Sequence, residues 1–248
     1  MARRLFYLNR VFRHSGWITG GTAVHLRRVL RAQAGAQFDL SDGERFYLGE
    51  IAAFGPEEIE FRLLESRPPS PEPLQIHLFA SLIKFDHFEW MLEKATELGA
   101  ARVTPVQAAR SEKGLAQGAA KRLDRWVKIV RESGQQCRRL RPPEIAEPVG
   151  LKDALAMQAD CRLWLEEEPG APPILLAAPA RGAVAVLIGP EGGWEEGERK
   201  LAGSSGWTSV SLGSRILRAE TAALATLALL QARADAGIVP ATSPFSAH

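Results

Sequence analysis

Three stretches of the chain hold the residue types best suited to chemistry. Leu163-Trp164-Leu165-Glu166 is an apolar run that closes in an acid. Leu187-Ile188-Gly189-Pro190-Glu191-Gly192-Gly193-Trp194 is an apolar run that opens into glycines. Leu212-Gly213-Ser214-Arg215-Ile216-Leu217-Arg218-Ala219-Glu220-Thr221-Ala222 joins a glycine-bearing loop to a helix start. Glycine takes positive φ and lets a backbone approach a flat ligand, so a glycine-rich loop after a strand is a candidate nucleotide-binding surface. These loops are not phosphate loops, because the Lys-Ser/Thr ending of a Walker sequence and a GxGxxG run are both missing. A neutral or cationic nucleoside derivative held by backbone groups suits them better than a triphosphate. Taken alone, Gly-Pro-Glu-Gly-Gly reads equally well as a tight turn.

The elements that must position these loops follow from hydrophobic period. Gln75–Ala80, Arg102–Val106, Cys161–Leu165, Ala183–Ile188 and Trp207–Leu212 are short, nearly continuous apolar runs, as in a sheet covered on both faces. Helices alternate with them. Asp86 is expected to cap one that buries Phe88, Met91, Leu92, Ala95 and Leu98 and stops at Gly99. A second spans about 119–135, with Leu123, Trp126, Val127 and Val130 inward, and a third about 219–234. This alternation predicts an α/β fold with a parallel sheet, whose ligand lies beyond the carboxyl ends of the strands. Four prolines between Pro68 and Pro73 mark a stiff linker. Before it, Phe38–Leu40, Arg45–Ala53 and Glu58–Leu64 read as strands around one helix, with Thr22 as its N-cap and His25, Leu26, Val29 and Leu30 at helical spacing. The expected organisation is a β-rich domain over 1–66, a linker over 67–74, an α/β domain over 75–236 and a flexible tail over 237–248.

Charge supplies a partner class. The net charge is only +2, yet residues 1–38 hold seven arginines and no acid, and residues 110–141 hold ten Lys/Arg against three acids. Two basic blocks on a near-neutral chain point to a polyanion bound by one face, against the blander reading of solvated helices. Cys137 and Cys161 make neither a zinc spacing nor a disulfide framework, which fits a reducing cytoplasm. Arginines and polar residues interrupt every apolar stretch near the N-terminus, and the longest apolar run, Ala222 to Leu230 with one Thr, is too short to span a bilayer, so no membrane partner is expected.

The combination of loops resembles the 16S ribosomal RNA uridine-N3 methyltransferase family of the SPOUT superfamily. Gly189–Gly193 followed by Leu212-Gly213-x-Arg215-Ile216-Leu217-Arg218-x-Glu220-Thr221-Ala222 carries the likeness. His25-Leu26-x-x-Val29-Leu30-Arg31, Lys94-Ala95-Thr96-Glu97-Leu98-Gly99, Arg110-Ser111 and Glu132-x-x-x-Gln136-Cys137-x-Arg139 extend it over nearly the whole chain. The sequence departs from that pattern at Phe85, at Ala109 and at Cys137, where serine is usual.

The resemblance implies a PUA-like β-barrel for RNA binding at the N-terminus and a knotted SPOUT-type parallel sheet after it. It implies a homodimer, S-adenosyl-L-methionine as cofactor, and 16S rRNA, within the small ribosomal subunit, as partner and substrate. No metal is called for, because the transferred methyl is already activated. The expected cofactor site comprises Leu165 and Glu166; Ile188, Gly189, Pro190, Glu191 and Gly193; and Leu212, Gly213, Ile216, Leu217, Arg218, Thr221 and Ala222. The expected RNA contacts are Arg3, Arg4, His25, Arg27, Arg28, Arg31, Lys84, Arg110 and Arg138. Charge grows on the uracil oxygens as N3 loses its proton, which suits a guanidinium placed over them. Arg218 and Arg139 are the catalytic candidates for that task. Arg218 could instead pair with Glu220 to fix the loop, and Arg139 could instead bind a phosphate. Glu220, also a catalytic candidate, suits a structural place in a helix first turn better than a general base. Glu191 faces either its own loop or the substrate, and Trp194 either covers the cofactor or packs under the next helix. Three rivals stand beside this reading: a non-catalytic RNA-binding protein, a SPOUT enzyme with another nucleotide target, and a Rossmann-type methyltransferase. The last lacks its early strand–GxGxG–helix.

Overall fold

The computed structural model describes residues 4–70, 72–112 and 114–236. Arg3 and the tail 237–248 lie outside the described residues. Two compact units emerge, one of Met1–Pro71 with Arg131–Pro142 and one of Glu72–Val130 with Pro143–His248.

The first unit contains β1 (Leu5–Tyr7), β2 (Arg10–Phe12), β3 (Ser15–Thr19), α1 (Gly20–Arg28), β4 (Gln37–Ser41), β5 (Phe46–Phe54) and β6 (Glu58–Arg67). Its strands form one sheet in the order β1-β4-β5-β6-β3-β2. Only the β1–β4 pair is parallel. Register shifts between Leu48 and Gly49 and between Ile51 and Ala53 bend β5, and such bulges curl a sheet. Ile18, Leu40, Ile51, Ile59 and Phe61 point inward and meet Ala23 and Leu26 of α1. The segment after Arg131 is tied in by polar contacts: the Tyr7 hydroxyl donates to the Arg139 carbonyl at 3.0 Å, and Ser41 Oγ to the Leu140 carbonyl at 2.6 Å.

Three expectations need correction here. Helix α1 starts after Thr19, because Gly20 and Gly21, which disfavour helix, are nevertheless helical, and Thr22 lies inside it. Val29 is 65% exposed at its C-cap and does not join Leu26 in the core. β6 continues to Arg67, paired with Phe46, so the linker outside strands is shorter than expected.

The second unit contains β7 (Leu74–Ser81), α2 (Phe85–Glu97), β8 (Ala100–Gln107), α3 (Leu115–Ala120) and α4 (Leu123–Gln136, its last turn and a half grouping with the first unit). Then come β9 (Glu144–Ile145), β10 (Val149–Gly150), α5 (Leu151–Leu155), β11 (Cys161–Leu165) and α6 (Ile174–Ala177). The last elements are β12 (Gly182–Ile188), α7 (Glu196–Ser204), β13 (Thr208–Val210) and α8 (Ala219–Asp235). The strand order is β10-β8-β7-β12-β11-β13, with β9 also beside β8, and every pair is parallel. The continuous apolar reading of β12 has a direct cause. Val184, Val186 and Ile188 enter a core with α2 and α8, while Ala185 and Leu187 enter a second core with Leu155, Ala202 and Trp207.

The helix expected over 119–135 is two helices, with the break at Lys121 and Arg122. Trp126 is fully buried, tilted against Phe88 at 4.7 Å, but Val127 is 46% exposed, contrary to expectation. Helix α2 begins at Phe85 with Lys84 as N-cap, so Asp86 sits in the first turn and does not cap. Gly99 ends it at φ +89. β13 is shorter than the expected Trp207–Leu212, and α5, α6 and α7 are short additions that periodicity missed. Helix α8 returns from the β13 edge to pack on α2 and β7, which carries the 211–218 loop back over the sheet. Among the described residues no helix is long and apolar enough to cross a membrane.

Candidate active site

A cavity of about 500 Å³ opens beyond the carboxyl ends of β7, β12, β11 and β13. That is nucleoside-sized. Each neighbouring strand sends one segment to its wall. Lys84 and His87 follow β7, Leu165 to Glu167 close β11, Ile188 to Trp194 follow β12, and Leu212 to Ala222 lie between β13 and α8. Every expected cofactor residue lines it except Thr221, which is exposed on α8 and turned elsewhere.

Two glycines shape the floor, Gly189 by close packing and Gly193 by its backbone conformation. A Cβ at Gly189 would lie 3.0 Å from the Trp194 ring. Gly193 adopts φ +68, and a Cβ there would collide with Glu167 Oε1. Trp194 is buried beneath this floor, and its Nε1 donates to the Leu165 carbonyl at 2.8 Å. It therefore supports the loop while its edge still reaches the cavity wall.

The acids divide into two kinds. Glu166 is committed to its own surroundings: Oε1 accepts from the Glu167 and Glu168 amides, and Oε2 from Arg199 Nε at 2.9 Å. That pairing with Glu166 holds the Arg199 guanidinium protonated more firmly than usual. Glu167 and Glu191 are exposed on the wall, where two carboxylates suit a cation. Glu191 lies with His87 and Glu220 in a group whose ligand-type atoms fall within 4.8 Å of one another. Glu191 thus faces the pocket.

Arg218 is the N-cap of α8, exposed and on the wall. Among the described residues it forms no ion pair, and Glu220 turns to His87 instead at 3.6 Å. The loop-fixing Arg218–Glu220 pair is therefore absent. Glu220 occupies the first turn of α8 and is buried. Arg139 belongs to the first unit and is not a wall residue.

The expected RNA contacts also separate. Arg4, His25, Arg28 and Arg31 are exposed, as are Lys84, Arg110 and Arg138. Arg138 lies 3.9 Å from Asp39. Arg27 is different: its guanidinium donates to the carbonyls of Gly55, Pro56 and Glu58, closing the β5–β6 turn onto α1. Arg110 donates to the Gly192 carbonyl at 2.9 Å and so braces the glycine-rich loop.

Sequence reasoning missed Glu167, His87 and the wall role of Lys84. The signal was there for the last two, since both open the helix that follows β7, at a strand carboxyl end. His77 shows the contrast. Burial and the nearby Arg102 push its pKa down to about 4, and its Nε2 meets Thr104 Oγ1 at 2.8 Å, so it is a neutral structural histidine.

Known proteins match this architecture. A model of the RNA methyltransferase domain family covers residues 70–231, and one of the RNA methyltransferase PUA domain covers residues 18–64. The ribosomal RNA small subunit methyltransferase E of Synechocystis is 34% identical over 84% of this chain and 70% of its own. That of Bacillus subtilis is 29% identical over 86% of this chain and 88% of its own. Among solved structures, the Neisseria gonorrhoeae methyltransferase E bound to S-adenosyl methionine is 30% identical, with a TM-score of 0.82. The alignment covers 93% of this chain and 97% of that one. A Legionella pneumophila methyltransferase with bound SAM is 28% identical with a TM-score of 0.83, over 94% and 98% of the two chains.

Proposed function

Because this chain belongs to the ribosomal RNA small subunit methyltransferase E family, we propose that it methylates N3 of a uridine in 16S ribosomal RNA. The cavity beyond β11, β12 and β13 is its S-adenosyl-L-methionine site. One observation carries the assignment: two glycine loops and a pair of exposed carboxylates converge on a nucleoside-sized cavity at a parallel sheet's carboxyl edge. The residues fit the cofactor. Leu165, Ile188, Leu212, Ile216, Leu217 and Ala222 offer apolar surface to a base, and Gly189, Gly193 and Gly213 expose backbone. Glu167 and Glu191 offer negative charge to a cationic ligand. The cofactor supplies a methyl group on a sulfonium sulfur, which keeps the carbon–sulfur electron pair when the methyl leaves.

The chain's own residues must hold the uracil in line, exclude water and stabilise the charge that spreads to O2 and O4. Arg218 is the catalytic residue for that charge, since it stands on the wall and forms no ion pair among the described residues. Arg139 and the exposed Arg4, His25, Arg28, Arg31, Lys84, Arg110 and Arg138 hold the RNA, mainly through phosphates. The protein acts as a cytoplasmic homodimer on the small ribosomal subunit.

The test is a mass map of 16S rRNA nucleosides after incubation with protein and cofactor. One new N3-methyluridine is expected. Methylation of a ribose or a guanine instead would replace the target, and no methylation, with no thermal stabilisation by S-adenosylhomocysteine, would leave a non-catalytic RNA binder.

A further inference from the structure

The reaction above needs an acceptor for the uridine N3 proton, and one pair of side chains beside the cavity is suited to supply it. His87 stands in the first turn of α2 on the cavity wall, with its side chain 34% exposed. Its Nδ1 is buried, and the group facing it is the Glu220 carboxylate, with Oε1 3.6 Å away. Glu220 is only 7% exposed, and its Oε2 is buried without a hydrogen-bond partner. A buried carboxylate is costly unless a donor or a positive charge faces it. The imidazole can provide both, first as an N–H and then as a cation.

We propose that His87 accepts the N3 proton and that Glu220 is the positioning residue behind it. This rests on the uridine methyltransferase reading. Glu220 holds Nδ1 in its N–H form, which leaves the ring's lone pair on Nε2. In the step, the N3–H bond breaks, its electron pair stays on N3, and the proton passes to Nε2. The imidazolium so formed is stabilised by the carboxylate behind it. The 3.6 Å separation suits a ligand-free site, where catalytic hydrogen bonds are often long and tighten in the complex. Other charged groups also face the ring. Glu191 reaches it from the β12 loop, and Asp86 from its own helix at 3.9 Å from Nε2. Lys84, Arg215 and Arg218 stand on the same wall.

Single-turnover rates at saturating cofactor and RNA, measured across pH, test the step. The wild-type rate should rise with pH to a plateau, as a reaction assisted by a base does. His87→Ala should be roughly a hundredfold slower near neutrality, the lower end of what a positioned base contributes. Its rate should then climb with pH without that plateau, because uracil ionised in solution needs no acceptor. Added imidazole should restore part of it, and calorimetric cofactor affinity should hold. Glu220→Gln should shift the plateau. Nitrogen-15 histidine spectra of the cofactor-free protein should show His87 as the Nδ1–H tautomer, and a mixture in Glu220→Gln. A His87→Ala protein with the wild-type rate and profile overturns the proposal, and so does an Nε2–H tautomer. Loss of wild-type activity to a chelator, restored by a divalent cation, also overturns it, making the cluster a cation site. A wild type that leaves uridine unmethylated overturns the functional reading and this step with it. A methylating wild type with an indifferent His87→Ala overturns this step alone.

Discussion

The two glycine loops of the cavity are built on opposite plans. The loop after β12 is held from behind by interactions that need no ligand. Trp194 anchors it to Leu165, Arg199 donates to the Trp194 carbonyl at 2.8 Å, and Arg110 braces Gly192. The loop after β13 is tied at its start, where the Ser211 backbone pairs with Pro172 and Ile174 and its hydroxyl bonds the Gly213 amide and carbonyl, and Leu212 and Leu217 rest on the core. Beyond that, Arg215, Ile216 and Arg218 face solvent, and Ile216 is 82% exposed. A large apolar residue left that open contributes little to folding, and on the cavity wall it is available to a ligand. On the proposed function, the first loop would serve both stability and recognition, and the second recognition and chemistry.

Arg218→Ala is the strongest way to break this division. The charge on the uracil oxygens grows only as N3 loses its proton, so the guanidinium acts mostly on the transition state. Its loss should cost about 3 kcal/mol, on the order of a hundredfold in single-turnover rate, with unchanged thermal stability. Lysine at 218 should rescue poorly, since it keeps the charge and loses the planar fork. A near-normal rate at saturation would remove Arg218 from the chemistry.

Gly193→Val tests the braced loop. Valine at φ +68 is strained, by about 1–3 kcal/mol, and its Cβ would meet Glu167. Chemical denaturation should show that loss of stability, and calorimetry should show cofactor affinity reduced beyond detection. Binding lost with stability intact would mean that the first loop, too, serves the ligand alone.

The smallest effect is expected from Ile216→Ala. Folding stability should be unchanged, while cofactor affinity should fall about fivefold, the equivalent of about 1 kcal/mol of apolar contact. Unchanged affinity would place Ile216 outside the site and leave its exposure unexplained.

Much of this division was legible beforehand. The strand ends at Leu165, Ile188 and Leu212 stood out because strands covered on both faces read as unbroken apolar runs, and glycines punctuate them. Nearly all the expected cofactor residues therefore reached one cavity. Thr221 did not, because a helix turns consecutive residues to different sides, and Ala219 and Ala222, one turn apart, take the cavity side. Arg27 was read as a phosphate ligand because composition registers a charge and not the carbonyls that meet it. The break between α3 and α4 escaped because apolar spacing continues across it.

The order of elements, the parallel sheet and the two loops beyond its edge were determined by the sequence itself, since hydrophobic period and glycine act over a few neighbouring residues. Which strands lie side by side was decided only in the folded molecule. β12 comes to lie between β7 and β11, and α8 returns from the sheet edge to pack on α2. That return sets Glu220 against His87 and leaves Arg218 without Glu220 as a partner. Parallel pairing joins segments distant in the chain through backbone hydrogen bonds that every residue type can make. No local pattern encodes it, and it is chosen by how the two buried faces pack.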